Sequence, residues 1–195
     1  MADDRPALRR RLRGLRRAVP GAERPLAAAA IDRTLARLGL PKPGTRVSAF
    51  HPFDGEIDPG VVLRRAEKFG CRIYFPVVTS LRRRRMRFVA PPDGGRQESI
   101  NPRWLDLVLV PLVGFDARGH RLGMGAGLYD RHFAFLRQRR AWRRPLLVGL
   151  AFEAQKVARL AEEVHDVQLD GVVTECGVYG RAVARLPGPG AGTGQ

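Results

Sequence analysis

The spacing of hydrophobic positions changes along the chain, from a helical period near the N-terminus to short apolar runs further on. Three leucines recur at helical spacing within the arginine-dense residues 5–18, which predicts an amphipathic helix that ends before Pro20. An alanine-rich helix is predicted at 23–38, closed by a glycine and a proline. The N-terminal part of the chain is therefore expected to be helical.

The rest of the chain alternates between predicted strands and predicted helices. The strands are expected at 46–50, 72–78, 107–111, 146–150 and 171–174. The helices are expected at 58–69, 128–139 and 153–160. Because this alternation requires crossover connections, the predicted fold class is α/β, a three-layer α/β/α sandwich around a mainly parallel sheet. Ligands of such folds bind at the carboxyl ends of the strands.

The length of 195 residues suits one domain, predicted at residues 1–185, followed by a disordered Pro/Gly tail at 186–195. The longest apolar run, 105–115, is interrupted by an aspartate and a proline, and a membrane helix needs roughly 20 apolar residues. Residues 1–19 lack the apolar core of a secretory signal. We therefore expect a cytoplasmic protein that does not contact membranes.

The net charge is +16, from 35 Lys+Arg against 19 Asp+Glu, and predicts attraction to anions such as nucleotides, polyglutamate tails or nucleic acid. The arginine runs at 82–85, 139–140 and 143–144 lack interleaved aromatic residues that would stack on bases. Nucleic acid is therefore not the expected partner, although a basic RNA-binding module stays an alternative. The two cysteines, Cys71 and Cys176, form no zinc or redox motif and are expected to be buried thiols.

The segment 121–131, RLGMGAGLYDR, carries the clearest signal of a binding site. Its three closely spaced glycines allow backbone amides to approach a phosphate, and the N-terminus of the predicted helix after them adds positive potential. The glycine spacing by itself matches no nucleotide motif and is also found in ordinary turns. Arg121 before the glycines and Asp130 after them add a phosphate-pairing cation and a candidate Mg²⁺ ligand.

The stretch RLGMGAGLYDR resembles the signature of the 5-formyltetrahydrofolate cyclo-ligase family, also called methenyltetrahydrofolate synthetases. Further similar blocks follow the order of the family: FDGEID at 53–58, YFPVV at 74–78, VPLVGFD at 110–116, GLAFEAQ at 149–155 and HDVQLDGVVTE at 165–175. The resemblance implies an α/β/α enzyme that binds ATP, Mg²⁺ and 5-formyltetrahydrofolate. It also implies that ATP phosphorylates the formyl oxygen before the N10 nitrogen closes the 5,10-methenyl bridge.

The resemblance assigns residues to each ligand. ATP is expected to contact Arg5, Arg9, Arg121, Leu122, Gly123, Met124, Gly125, Ala126, Gly127, Leu128 and Tyr129. The folate is expected to contact His51, Glu56, Met124, Gly125, Ala126, Gly127 and Leu128. Magnesium is expected at Asp130 and Asp166. No residue is expected to act covalently, since none of the serines sits in a nucleophile elbow.

Ordinary structural roles are the alternatives for the charged residues. Glu56 has the alternative of a solvated loop acid. Arg5 and Arg9, one helical turn apart, are alternatively part of a solvated basic face. For Asp130 the alternative is a first-turn helix acid that stabilises the helix dipole, and for Asp166 it is a turn residue.

Departures from the family pattern leave the activity itself open to an alternative. The segment between Phe88 and Asp106 is shorter than in the family, and His51, Met124 and Leu128 stand where the family more often has other residues. A member that binds nucleotide or folate without closing the ring is therefore the alternative to an active cyclo-ligase. The sequence leaves the oligomeric state open, with a monomer as the expectation.

Overall fold

In residues 4–92, 97–138 and 144–180, which the computed structural model describes, the chain forms four α-helices and eleven strands. The helices are α1 (Arg5–Ala18), α2 (Glu23–Arg37), α3 (Gly60–Lys68) and α4 (Leu128–His132). The strands are β1 (Arg46–Ser48), β2 (Arg72–Ser80), β3 (Arg85–Val89), β4 (Ser99–Ile100), β5 (Leu107–Pro111), β6 (Gly114–Asp116), β7 (Arg121–Leu122), β8 (Leu146–Leu150), β9 (Lys156–Val157), β10 (Gly171–Val173) and β11 (Val178–Tyr179).

Eight of these strands form one sheet in the order β11-β10-β8-β5-β1-β2-β3-β4. The five strands from β10 to β2 are parallel, as predicted. At the two edges, β11 and the β3-β4 pair run antiparallel. A separate sheet contains three strands in the order β7-β6-β9. The central position of β1 and β5 brings the loops that follow them to the same edge of the sheet.

Strand β5 shows why helices cover both faces of the large sheet. Leu107 and Leu109 pack into a core cluster with α2 and α3, whereas Val108 and Val110 pack into a second cluster with Phe133 after α4. Successive side chains of a strand point to opposite faces, so a strand that is apolar at every position must be buried on both. The predicted three-layer α/β/α arrangement is confirmed.

Helix α1 lies beside the loop that follows β5. The Asp4 side chain accepts a hydrogen bond from the Ala7 amide at 3.2 Å and so caps the helix. Leu12, on the buried side of α1, packs with Val113 and Leu122 in a third apolar cluster. This contact anchors the arginine-rich helix over the carboxyl end of the central strands.

The predicted helix at 153–160 is wrong. The chain forms a 3-10 turn at Glu153–Gln155 and then β9, which pairs with β6. The buried Gln155 amide donates hydrogen bonds to the carbonyl oxygens of Leu112 and Val113, at 2.8 and 3.1 Å. These bonds satisfy backbone acceptors at the end of β5 and hold the segment in a turn, where a helix would continue away from the sheet.

The helix predicted at 128–139 is shorter than expected. It ends at His132 and is followed by a 3-10 turn, Ala134–Gln138, while residue 139 lies outside the described ranges. The antiparallel edge strands were not predicted, because they are short or rich in arginine. Cys71 is buried as predicted, but Cys176 is exposed.

The predicted domain end at residue 185 and the predicted tail at 186–195 lie outside the described residues, as do residues 139–140 and 143 of the arginine runs. Within the ranges that are described, no helix is both long enough and apolar enough to span a bilayer.

Gly149 in β8 has no room for a side chain. A Cβ atom there would lie 2.6 Å from Leu112 Cδ2 and 2.8 Å from Leu169 Cδ1, both in the core. We expect Gly149→Ala to lower the free energy of unfolding by about 1–3 kcal/mol through overpacking, measured by urea denaturation. Gly14→Ala is the matched control, because no described atom lies within 4 Å of its Cβ position in α1. It should raise the free energy of unfolding by about 0.5–1 kcal/mol. Equal effects would contradict the packing argument.

Candidate active site

A cleft of about 540 Å³ opens at the carboxyl ends of β1 and β5. Its walls come from α1, the loop after β1, the glycine segment before α4, and the loop before β10. The predicted site residues that line it are Arg5, Arg9, Glu56, Arg121, Gly123, Met124, Gly125, Ala126, Gly127, Leu128, Tyr129, Asp130 and Asp166. The structure therefore brings together predicted site residues from four distant parts of the sequence.

Two of the predicted site residues lie elsewhere. Leu122 is fully buried in the apolar cluster with Leu12. His51 is exposed and stacks on Phe75, with ring centroids 4.2 Å apart, and it is not part of the cleft lining.

The glycine segment 123–127 connects β7 to α4 along one wall of the cleft. Gly125 has φ +100° and Gly127 has φ +62°, a backbone region in which side chains are strained. Gly127 is also the N-cap residue of α4. Because α4 has only five residues, its dipole is weaker than that of the longer helix predicted from the sequence, and the exposed loop amides are the stronger candidates for contact with an anion.

Arg5 and Arg9 both extend from α1 into this cleft. Arg9 Nε donates to the Gly123 carbonyl oxygen at 2.9 Å, and its guanidinium lies 3.6 Å from the position of a Cβ on Gly125. Arg5 Nη2 donates to Asp166 Oδ2 at 3.1 Å, and Arg5 also pairs with Glu163. The Arg9 guanidinium thus lies beside the glycine loop, and Arg5 lies in the same cleft against the loop before β10.

Both predicted metal ligands are paired with arginine. Asp130 Oδ1 accepts hydrogen bonds from Arg121 Nη2 at 2.5 Å and from the Val167 amide at 3.0 Å. Asp166 Oδ2 accepts from Arg5. In the described part of the chain, no three acidic, histidine or cysteine side chains form a cluster that could hold a metal. Both carboxylates line the cleft, and carboxylate oxygens are ligands that Mg²⁺ accepts together with phosphate oxygens.

Glu56 lies in the tight loop after β1, at the other side of the cleft. Its Oε2 accepts from the Phe53 amide at 3.2 Å, and its Oε1 accepts from Arg16 Nη1 at 3.3 Å. Burial raises the pKa of Glu56, and this effect outweighs the opposing influence of the Phe53 amide and Arg16. The cleft therefore contains a carboxylate that is shielded from solvent and accepts hydrogen bonds from the Phe53 amide and Arg16. Glu56 is thus not the solvated loop acid that the sequence left open as an alternative.

Tyr129 follows the glycine segment and packs its ring against Phe133, with centroids 6.2 Å apart. Burial raises the pKa of the Tyr129 hydroxyl, which is therefore a neutral phenol at physiological pH. Its hydroxyl can donate or accept a hydrogen bond next to the cleft without adding charge.

Three arginines of the site were not predicted from the sequence. Arg84, in the turn between β2 and β3, and Arg137, after α4, line the cleft and add positive charge to it. Arg16 is buried behind Glu56 and donates a hydrogen bond to its carboxylate. Within runs of arginine, no local pattern distinguishes these side chains from solvated ones. The cleft therefore combines a strongly basic lining with one shielded carboxylate, Glu56.

The sequence of the chain is similar to those of known 5-formyltetrahydrofolate cyclo-ligases. The sequence model of the 5-formyltetrahydrofolate cyclo-ligase family matches residues 1–175. The 5-formyltetrahydrofolate cyclo-ligase of Escherichia coli is 30% identical over 150 residues, which are 68% of this chain and 79% of that protein.

Two solved structures are similar in fold. The 5,10-methenyltetrahydrofolate synthetase of Mycoplasma pneumoniae superposes with a TM-score of 0.74 at 29% identity, covering 88% of this chain and 99% of that chain. The 5,10-methenyltetrahydrofolate synthetase of Aquifex aeolicus gives a TM-score of 0.70 at 26% identity, covering 91% and 92%. On its sequence match and its fold, the chain belongs to the 5-formyltetrahydrofolate cyclo-ligase family, a family of ligases.

Proposed function

We propose that the protein converts 5-formyltetrahydrofolate to 5,10-methenyltetrahydrofolate at the expense of ATP, releasing ADP and phosphate. One observation carries the proposal: a single cleft contains the glycine loop with Arg9 against it, the guanidinium of Arg5 and the shielded carboxylate of Glu56. A polyphosphate and a reduced folate can thus bind close enough to react. The family of the chain makes these two ligands the first choice.

In the proposed reaction, the formyl oxygen attacks the γ-phosphorus of ATP and ADP leaves. The N10 nitrogen of the folate then attacks the activated formyl carbon and loses its proton. Phosphate leaves with the former formyl oxygen, and the methenyl bridge remains. Such a sequence needs no covalent bond to the protein, and asks it mainly for positioning and for stabilisation of phosphate charge.

The phosphate end of the cleft provides that stabilisation. Arg5, Arg9 and the amides of the glycine loop would contact the ATP phosphates, as arginines and exposed amides commonly do. Asp130 and Asp166 would hold Mg²⁺, which neutralises phosphate charge when bound. Because Arg5 pairs with Asp166 in the free protein, ATP binding would exchange that ion pair for a phosphate contact.

The folate end of the cleft provides orientation. Glu56 would accept hydrogen bonds from N–H groups of the pterin ring and hold the formyl group towards the γ-phosphate. Met124 is half-exposed and, with Leu128, would contact the apolar surface of the ring. His51 lies outside the cleft lining, so the proposal does not depend on it.

A spectrophotometric assay tests the function directly. Purified protein with MgATP and 5-formyltetrahydrofolate should produce the methenyl absorbance together with stoichiometric ADP. Folded protein that binds both ligands without producing methenyl would instead be the non-catalytic family member. Binding of RNA that weakens steeply with salt and ignores ATP would favour the basic RNA-binding module.

Glu56→Gln should fold and lose most of its activity, because it removes the charge that orients the pterin while it keeps the side-chain volume. We expect kcat/KM to fall by about 100-fold or more, a typical cost of a misplaced substrate. Asp58→Asn is the matched control, since Asp58 lies in the same loop but is exposed and contacts the Gly60 amide. Wild-type kcat/KM in Glu56→Gln would show that the carboxylate has no such role.

Gly125→Val should weaken ATP binding. At φ +100° a branched side chain is strained, and its Cβ would lie 3.6 Å from the Arg9 guanidinium, in the space proposed for phosphate. Gly70→Val is the matched control, because Gly70 has φ +67° with no described atom within 4 Å of its Cβ position. Both variants should lose stability, but isothermal titration should show reduced nucleotide affinity for Gly125→Val alone. Unchanged affinity would make the loop an ordinary turn.

Asp130→Asn should raise the Mg²⁺ concentration needed for half-maximal activity, because a neutral amide oxygen is a poorer ligand than a carboxylate. Excess Mg²⁺ should therefore restore part of the activity. Asp166→Asn should behave in the same way but more mildly. If Asp130 serves only the ion pair with Arg121, melting curves will show lost stability while the Mg²⁺ dependence stays that of the wild type.

A further inference from the structure

Behind Glu56, the side chain of Arg16 connects the folate end of the cleft to α1. We infer that Arg16 is a positioning residue, whose guanidinium fixes the Glu56 carboxylate and ties it to the helix that carries Arg5 and Arg9. This inference rests on the function proposed above, since it concerns how the two ends of one cleft are held in register.

The Arg16 guanidinium is fully buried and its contacts leave it little freedom. Nη1 donates to Glu56 Oε1 at 3.3 Å and to the Leu112 carbonyl oxygen at 3.2 Å. Nη2 donates to Asp54 Oδ2 at 2.8 Å, and Nε donates to the Asp54 carbonyl oxygen at 3.1 Å. A buried charge is tolerated only with such partners, and the planar fork of arginine fixes their directions. Glu56 is thus held by a group that cannot easily turn away.

The position of Arg16 on α1 gives this contact a second consequence. Residues 5, 9 and 16 are separated by four and seven positions, so at 3.6 residues per turn all three lie on one face of the helix. The rise along α1 from Arg5 to Arg16 is about 16 Å. Leu12, between them, anchors this face in the apolar cluster with Val113. One rigid element therefore carries the proposed phosphate contacts and the clamp on Glu56.

A purely structural role for Arg16 would be to neutralise Asp54, which stands at φ 54° in the loop before Glu56. Asp54 already accepts hydrogen bonds from Arg13 Nε at 2.7 Å and from Arg17 Nε at 2.5 Å. These contacts hold the pKa of Asp54 well below its usual range, with the Arg13 bond as the largest cause. Among the described contacts of these three arginines, the one to Glu56 belongs to Arg16.

Removal of Arg16 should change the titration of Glu56. The charged and titratable groups that face Glu56 are Arg16 from α1, Asp54 from its own loop and the Tyr129 hydroxyl across the cleft. Arg16 is the cation of this set and favours the ionised carboxylate, whereas burial and Asp54 oppose it. Without Arg16 the pKa of Glu56 rises further, so the acidic limb of the pH profile of kcat/KM moves to higher pH.

The experiment compares Arg16→Met, which keeps volume without charge, and Arg16→Lys with the matched control Arg17→Met. Arg17 is about half-exposed on the same helix and contacts Asp54. Each variant is assayed for the KM of ATP, the pH profile of kcat/KM for the folate, and the titration of Glu56 by carboxyl ¹³C NMR. The NMR titration requires no turnover, so it tests Arg16 even if the proposed reaction fails in the wild-type assay.

We expect Arg16→Met to lower kcat/KM for the folate by about 100-fold, the scale of a misplaced reacting group, with the KM of ATP little changed. Both the acidic limb and the Glu56 titration should move to higher pH. Arg16→Lys should keep the charge but lose the fork, and should restore the titration more than the rate. If Arg16→Met does not fold, Arg16→Lys is the test variant. Its kcat/KM for the folate should be lowered while its KM for ATP stays normal. An unshifted Glu56 titration, or an equal shift in Arg17→Met, would overturn the inference.

Discussion

Burial of the central parallel strands on both faces is the constraint on which the rest of the structure depends. β5 carries apolar side chains at every position, and helices cover it from both sides. Polar side chains that could bind a ligand therefore lie at the ends of these strands. The loops after β1 and β5, which carry Glu56 and Leu112, meet at one edge for this reason, and α1 lies across them.

At that edge of the sheet, arginines from several segments form ion pairs with the acids of the cleft. Each acid that lines the cleft is paired with arginine: Glu56 with Arg16, Asp130 with Arg121, and both Glu163 and Asp166 with Arg5. The cleft is thus partly neutralised before any ligand arrives, while Arg9, Arg84 and Arg137 keep its balance positive. The acids of the Asp130 and Asp166 pairs are partly exposed, at 26% and 30%, whereas Glu56 and Arg16 are largely buried.

The same arrangement explains why a helix without any apparent motif matters. α1 reaches the cleft with three arginines on one face, and the contact of Leu12 with Val113 fixes its axial position. A shift of one helical turn would break all of these contacts together. Because positioning is the main demand of phosphoryl transfer, a rigid connection between the two ends of the cleft fits the proposed chemistry.

The sequence by itself determined the features that depend on neighbours along the chain. The apolar run of β5, the helix α1 and the glycine loop at 123–127 were predictable, because periodicity and glycine content are local properties. Together with the family resemblance, they indicated the fold class and most residues of the cleft. The helix prediction at 153–160 was wrong because the Gln155 side chain donates to backbone carbonyl oxygens more than forty residues away. The tertiary structure decided three further properties: which arginine of α1 is buried, where His51 lies and how the pKa of Glu56 is shifted. These properties arise from contacts between distant segments, for which a run of arginines or a single loop acid carries no local signal.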